Sequence, residues 1–95
     1  MNIKDFSDYL LDKYPILDLD LKVQNEYMDI VSITIYNEYQ NLGIGTKILD
    51  EIKEYSKKCG LKSIILLSAP KAKGFYIKNG FICIKKPCLF EYRIK

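Results

Sequence analysis

Gln40, Gly43 and Gly45 stand as Gln-x-x-Gly-x-Gly within the run NEYQNLGIGTKIL. Without side chains, the two glycines let the backbone turn sharply and approach a ligand closely. Successive N–H groups in such a turn, followed at once by a helix N-terminus, form a cradle for an anion. A phosphate-bearing cofactor is the expected ligand, and the spacing narrows the choice. A dinucleotide fingerprint requires a third glycine where Ile48 stands, and a nucleotide P-loop requires Gly-Lys-Ser/Thr where the chain reads Gly45-Thr46-Lys47. Other chemistries lack their residue types. There is no histidine, which removes a cysteine–histidine zinc centre and leaves a cysteine nucleophile without its usual base. Cys59, Cys83 and Cys88 are odd in number and lack the spacing of a disulfide framework. Three thiolates leave a tetrahedral site one ligand short, so no metal is expected, and the cysteines read as small apolar fillers.

The turn needs a strand to deliver it and a helix to follow it. Ile30 to Tyr36 is β-branched and apolar on both faces, which predicts a central strand. After the turn, Ile44, Ile48, Leu49, Ile52 and Tyr55 recur on one face of a helix that Gly60 closes. Ahead of it, Ile3 to Tyr14 reads as a short amphipathic helix stopped by Pro15. Leu17, Leu19, Leu21 and Val23 then alternate with charged residues as a half-buried strand, and Asn25-Glu26 marks a hairpin turn. Leu61 to Ser68 (LKSIILLS) reads as a further buried strand, parallel to Ile30–Tyr36 across a right-handed helical crossover. Lys71 to Lys78 is a short helix closed by Asn79-Gly80, and Phe81–Lys85 and Leu89–Ile94 are the last strands. The order is helix, two strands, helix, strand, helix, two strands: one mixed α/β sheet.

With 95 residues, 48% hydrophobic and 28% charged, the chain reads as one domain of ordinary globular composition. No apolar run approaches a membrane span and the N-terminus is too acidic for a signal peptide, so a cytoplasmic location and no membrane partner are expected. Charge is uneven. Residues 1–40 set three lysines against eight acids, whereas residues 41–95 set twelve bases against Asp50, Glu51, Glu54 and Glu91. A basic half suits nucleic acid or the phosphates of a cofactor. The lysines are scattered, which makes nucleic acid the poorer of the two.

Two stretches together resemble a known family. QNLGIGTKIL is similar to the acetyl-CoA pyrophosphate loop of the GNAT acetyltransferases, whose signature is Gln/Arg-x-x-Gly-x-Gly/Ala. AKGFYIKNGF (Ala72 to Phe81) resembles their second hallmark, an aromatic pair on the last helix followed by Gly-Phe opening the next strand. The likeness covers Met28 to Lys95 and keeps the family's order. It implies a GNAT-like acyl-CoA N-acyltransferase fold over residues 1–95, an α/β domain with a central mixed sheet of about six strands and three helices. It also implies transfer of acetyl from acetyl-CoA to an amine by direct attack in a ternary complex. Carried over residue by residue, the backbone of Ile33, Thr34 and Ile35 meets the pantetheine arm, and Gln40, Asn41, Leu42, Gly43, Ile44, Gly45 and Thr46 hold the pyrophosphate. Pantetheine resembles a peptide and can pair between splayed parallel strands. Tyr76 corresponds to the tyrosine that protonates the departing thiolate, or else it packs beside Phe75. Asp29 corresponds to a glutamate base, or else it is a polar residue at the wet start of a strand; Ser68 lines the site or caps a turn. The family usually opens with a strand and two helices, and here one helix precedes the hairpin. An open acceptor side follows, or one completed by a second subunit in a homodimer. An open groove suits a protein or peptide lysine, with Asp18, Asp20, Glu26 and Asp29 to attract it. A non-catalytic CoA-binding or protein-interaction module of the same fold is the alternative.

Overall fold

The computed structural model describes residues 1–40 and 42–95. Helix α1 (Ile3–Lys13) begins at Asn2, whose side chain accepts the Asp5 N–H at 2.8 Å, and it ends before Pro15. β1 (Ile16–Gln24) and β2 (Tyr27–Ile35) form an antiparallel hairpin closed where Gln24 pairs with Tyr27. Asn25 takes the positive φ of 52° that a two-residue turn requires and asparagine tolerates. A 3₁₀ turn (Asn37–Tyr39) leads to α2 (Ile44–Lys58), which crosses to β3 (Ser63–Leu67), parallel to β2. A second 3₁₀ turn (Pro70–Ala72) and α3 (Lys73–Lys78) precede the antiparallel pair β4 (Ile82–Lys85) and β5 (Leu89–Arg93). The sheet runs β1-β2-β3-β5-β4. It has five strands where about six were expected, because among the described residues the segment before the hairpin is helical and no other run supplies a strand.

All three helices share one face of this sheet. Met28, Ile30, Ile64, Leu66 and Phe90 point into the core beneath them, each buried side chain contributing about 1.5–3 kcal/mol. Phe6 of α1 stacks on Tyr55 of α2 with ring centroids 4.1 Å apart. Lys53 of α2 sets its Nζ 4.2 Å from the centre of the Tyr92 ring and donates to the Asn79 carbonyl at 2.6 Å, joining α2 to the end of α3. The hydroxyls of Tyr9 on α1 and of Tyr14 just beyond its end donate to the two carboxylate oxygens of Glu51 on α2, and Lys13 Nζ lies 3.0 Å from Oε2. The molecule is a two-layer slab measuring 34 × 33 × 19 Å.

Among the described residues nothing covers the opposite face. Tyr27, Asp29, Ser63, Ile65, Leu89 and Glu91 are half-buried there, and Arg93 and Leu67 are exposed. LKSIILLS is therefore buried on one face rather than both: Ile64 and Leu66 turn in, Ile65 and Leu67 turn out. The leucine face foreseen for β1 also changes. A register irregularity between Ile16 and Asp18 buries Ile16 and leaves Leu17 57% exposed. Leu19, Leu21 and Val23 keep the core side, opposite Ile33, Ile30 and Met28, though Val23 is exposed at the hairpin end. A second irregularity leaves Val31 as an extra residue on β2, between Ile30 opposite Leu21 and Ser32 opposite Asp20. The cysteines are not core fillers, since Cys59 and Cys83 are exposed and Cys88 is half-buried, all three free.

Candidate functional site

β2 and β3 are joined over four rungs, from Tyr27–Ser63 to Ile30–Leu66. Beyond that rung β2 continues to Ile35, paired to β1 alone. β3 adds only Leu67 and stays paired with β5, the Ser68 N–H donating to the Cys88 carbonyl at 2.9 Å. The result is a notch in the sheet with intact walls. The extra residue Val31 stands at its apex, where a bulge bends the strand and increases its twist. Ile33 and Thr34 lie on the released part of β2, half-buried and exposed respectively. The Ile35 carbonyl is already occupied, accepting from Gln40 Nε2 at 3.1 Å. Gln40 also donates to Asn37 Oδ1 at 3.2 Å, so its side chain fastens the loop to the end of the strand. Asn41 lies outside the described residues.

The start of α2 adjoins the notch. Gly43 is its N-cap at φ 77°, ψ 3°, and the first bond into the helix runs from the Lys47 N–H to the Gly43 carbonyl at 3.2 Å. Among the described residues no side chain caps this end, and no acidic residue stands in the first turn. The N–H groups of Ile44, Gly45 and Thr46 thus retain the partial positive charge of a helix start. Leu42 is exposed beside them, and Ile44 and Thr46 are half-buried. The two glycines serve different ends. A Cβ on Gly43 meets nothing within 4 Å, so the left-handed φ demands glycine there. A Cβ on Gly45 falls 2.9 Å from Phe75 Cζ and 3.6 Å from Ile35 Cδ1, so packing demands it instead. Sequence reasoning missed this function of Phe75; the aromatic pair in AKGFYIKNGF was its only trace.

Tyr76 and Asp29 lie on opposite faces of the sheet. Tyr76 belongs to α3 and is 8% exposed, its ring packed with Phe75, Phe81 and Phe90 at centroid distances of 5.2, 5.6 and 6.5 Å. Its hydroxyl makes no hydrogen bond among the described residues, and burial pushes the phenol above its ordinary pKa. Asp29 stands on the bare face, half-buried, between Lys22 and Ile65 and one rung before the join ends. Gln24 Nε2 lies 3.4 Å from its Oδ2. Asp18, Asp20 and Glu26 are exposed, Glu26 paired with Lys62 at 3.0 Å. Ser68 is buried and donates to the Ala69 carbonyl at 2.8 Å, which makes it a turn residue. Among the described residues no group of His, Cys, Asp and Glu side chains is placed to hold a metal, and no helix is long and apolar enough to cross a membrane.

Comparison with known proteins bears on this arrangement. The family model for the acetyltransferase (GNAT) domain matches residues 21–92. No curated protein matches the chain by sequence. Among solved structures, a Lactobacillus plantarum protein assigned as an N-acetyltransferase superposes with a TM-score of 0.76 at 17% identity, covering 81% of this chain and 59% of its own. The PaiA N-acetyltransferase of Thermoplasma acidophilum, solved in complex with coenzyme A, gives 0.69 at 23% identity, covering 79% and 51%. The anti-CRISPR protein AcrVA5 gives 0.67 at 19% identity, covering 78% and 86%. This chain thus spans a little over half the length of the first two structures and most of the third.

Proposed function

The chain belongs to the GNAT acetyltransferase family, and on that premise we propose that it moves an acetyl group from acetyl-CoA to an amine, a lysine of a protein or peptide, in a ternary complex. One observation carries the reading: the β2–β3 join stops at Ile30–Leu66 beside an uncapped helix start. An opening bordered by free strand edge and an anion cradle accommodates an amide-bearing arm and a pyrophosphate at once. In this assignment the backbone of Ile33 and Thr34 meets the arm. Gly43, Ile44, Gly45 and Thr46 present N–H groups to the pyrophosphate, joined by Asn41 and Leu42 of the same motif, and Gln40 holds the loop to Ile35. Lys47 adds positive charge in the first turn of the helix.

Bound acetyl-CoA supplies a thioester carbonyl activated toward an amine. The side chains handle protons around it. Tyr76, kept protonated by burial, donates to the departing sulfur from the helix side. Asp29 accepts the proton of the incoming amine from the bare side, through a water because aspartate is short. Asp18 and Asp20, exposed on that side, draw a cationic acceptor toward it. The position of Asp29 before the end of the join favours a second reading, a module that binds CoA without transfer. Calorimetric titration with acetyl-CoA tests both. Micromolar affinity, about −8 kcal/mol, that is lost in Gly43→Glu is the expected result. Binding without acetylation of a lysine peptide selects the module, and absence of binding overturns both readings.

A further inference from the structure

The bare face carries an apolar strip that the core does not use. Val31 is 47% exposed, Leu67 73% and Ile82 58%. Leu89 pairs with Leu67; two residues back along β3, Ile65 lies opposite Glu91, which stands between it and Ile82 on β4. Val31 and Leu67 immediately follow the last joined rung, Ile30–Leu66, so they flank the notch. Because Leu66 turns into the core, Leu67 turns away from the helices; Val31, the extra residue at the irregularity, is exposed beside the notch.

We propose that this strip receives the acyl chain of the donor, and that the protein takes acyl-CoA thioesters longer than acetyl. The proposal rests on the acyl-transfer reading above. In that reading the thioester sits in the notch with its acyl carbon toward the bare face, where the amine arrives. A donor restricted to acetyl requires a wall behind the methyl group. Here the side chains next in line are Leu67 and Leu89, with no helix over them among the described residues. A flexible hydrocarbon chain needs only a narrow apolar track, whereas a stable protein interface covers about 800 Å² on each partner. Asp29 and Glu91 flank Ile65 at the edge of the row formed by Val31, Leu67 and Leu89; Glu91 is paired with Arg93 at 3.2 Å, and the Asp29 carboxylates set like charges against each other if two copies of this face meet. The transfer keeps its balance whatever the chain length: the carbon–nitrogen bond forms, the carbon–sulfur bond breaks, Asp29 takes the amine proton and Tyr76 gives one to the thiolate.

A fully buried methylene tightens binding about fourfold, and a track that covers one side of the chain yields about twofold for each methylene added. S-Alkyl thioethers of CoA bind without transferring, so they isolate this effect from catalysis. Calorimetric titration of S-ethyl-, S-butyl- and S-hexyl-CoA should show affinity rising by roughly sixteenfold from the first to the last. Leu67→Ser, at an exposed position, and Leu89→Ser, half-buried on the bare face and so outside the core, should flatten the series. Equal affinity across the wild-type series, with CoA itself binding, overturns the proposal and leaves acyl transfer standing. A rise that persists unchanged in both variants also overturns it, by placing the chain elsewhere. Sedimentation that finds dimers dissociated by Leu67→Ser, with a flat series, assigns the strip to a second copy instead. Failure of every CoA derivative to bind removes the proposal together with the reading beneath it.

Discussion

Replacing Gly43 by alanine separates the two reasons for a glycine at a helix start. The added methyl group meets nothing within 4 Å, so it causes no clash. What remains is the φ of 77°, which costs a residue with a Cβ about 1–2 kcal/mol. In a domain of this size each kcal/mol lowers Tm by about 4–8 °C, so Gly43→Ala should melt roughly 5–15 °C early. Gly43→Asn places a larger side chain in the same open space, but asparagine tolerates the left-handed region, so it should recover about half of the loss or more. Thermal melts followed by circular dichroism rank the three proteins, and titration with acetyl-CoA ranks their cradles. Equal destabilisation by alanine and asparagine would refute the conformational argument. A Gly43→Asn protein that melts like the parent yet binds acetyl-CoA tenfold more weakly would show that clearance for the ligand, not φ, selects glycine.

Tyr76→Phe keeps every ring contact and removes a hydroxyl without a partner among the described residues. Stability should change by less than about 0.5 kcal/mol while acetyl transfer to a lysine peptide slows about a hundredfold at unchanged acetyl-CoA affinity; equal turnover would reduce Tyr76 to packing. Burial alone raises the Glu51 carboxyl, but hydrogen bonds from Tyr14, Tyr9 and Lys13 hold it below its ordinary value. A carboxyl depressed by folding stabilises fully above its unfolded pKa and loses that contribution as pH falls through the folded one. Urea melts should accordingly show Glu51→Gln about 1–2 kcal/mol less stable at neutral pH, with the gap closing as pH falls through the depressed carboxyl's titration. A gap independent of pH would contradict the assignment. Lys53→Met keeps an apolar stem but loses the bond to the Asn79 carbonyl and the cation over Tyr92. It should cost about 1–2 kcal/mol by the same melts, and an unchanged midpoint would show the ammonium to be idle.

Much of this arrangement is legible in the residues because it is set by local chemistry. Asn25-Glu26 announces the hairpin, Pro15 ends α1, and Gly60 and Gly80 end α2 and α3 in the same pattern of backbone bonds. The glycine turn is legible as well, since its spacing shows in the sequence alone. What escapes is whatever depends on a neighbour from elsewhere in the chain. Leu17 follows the alternation of β1 yet faces out, because the irregularity beside it is a property of the pair of strands. Leu66 and Leu67 are identical in type, and only the absence of a helix on one face distinguishes buried from bare. The end of the β2–β3 join is invisible in either strand by itself. Gly45 has its reason in Phe75, thirty residues on.

The four-rung join between β2 and β3 also bears on how the molecule holds together over time. Within the sheet it alone connects the N-terminal hairpin to the three C-terminal strands. The two hairpins, β1–β2 and β4–β5, close over short loops on microsecond timescales, whereas the parallel join waits for the whole α2 crossover and the β3–β5 pair for α3. The seam therefore forms after the hairpins, and brief opening along it exposes the amides of both bordering strands to exchange and to proteases. A ligand that spans the notch acts there as a suture. By mass action the abundance of such a ligand would then set how often the two halves part.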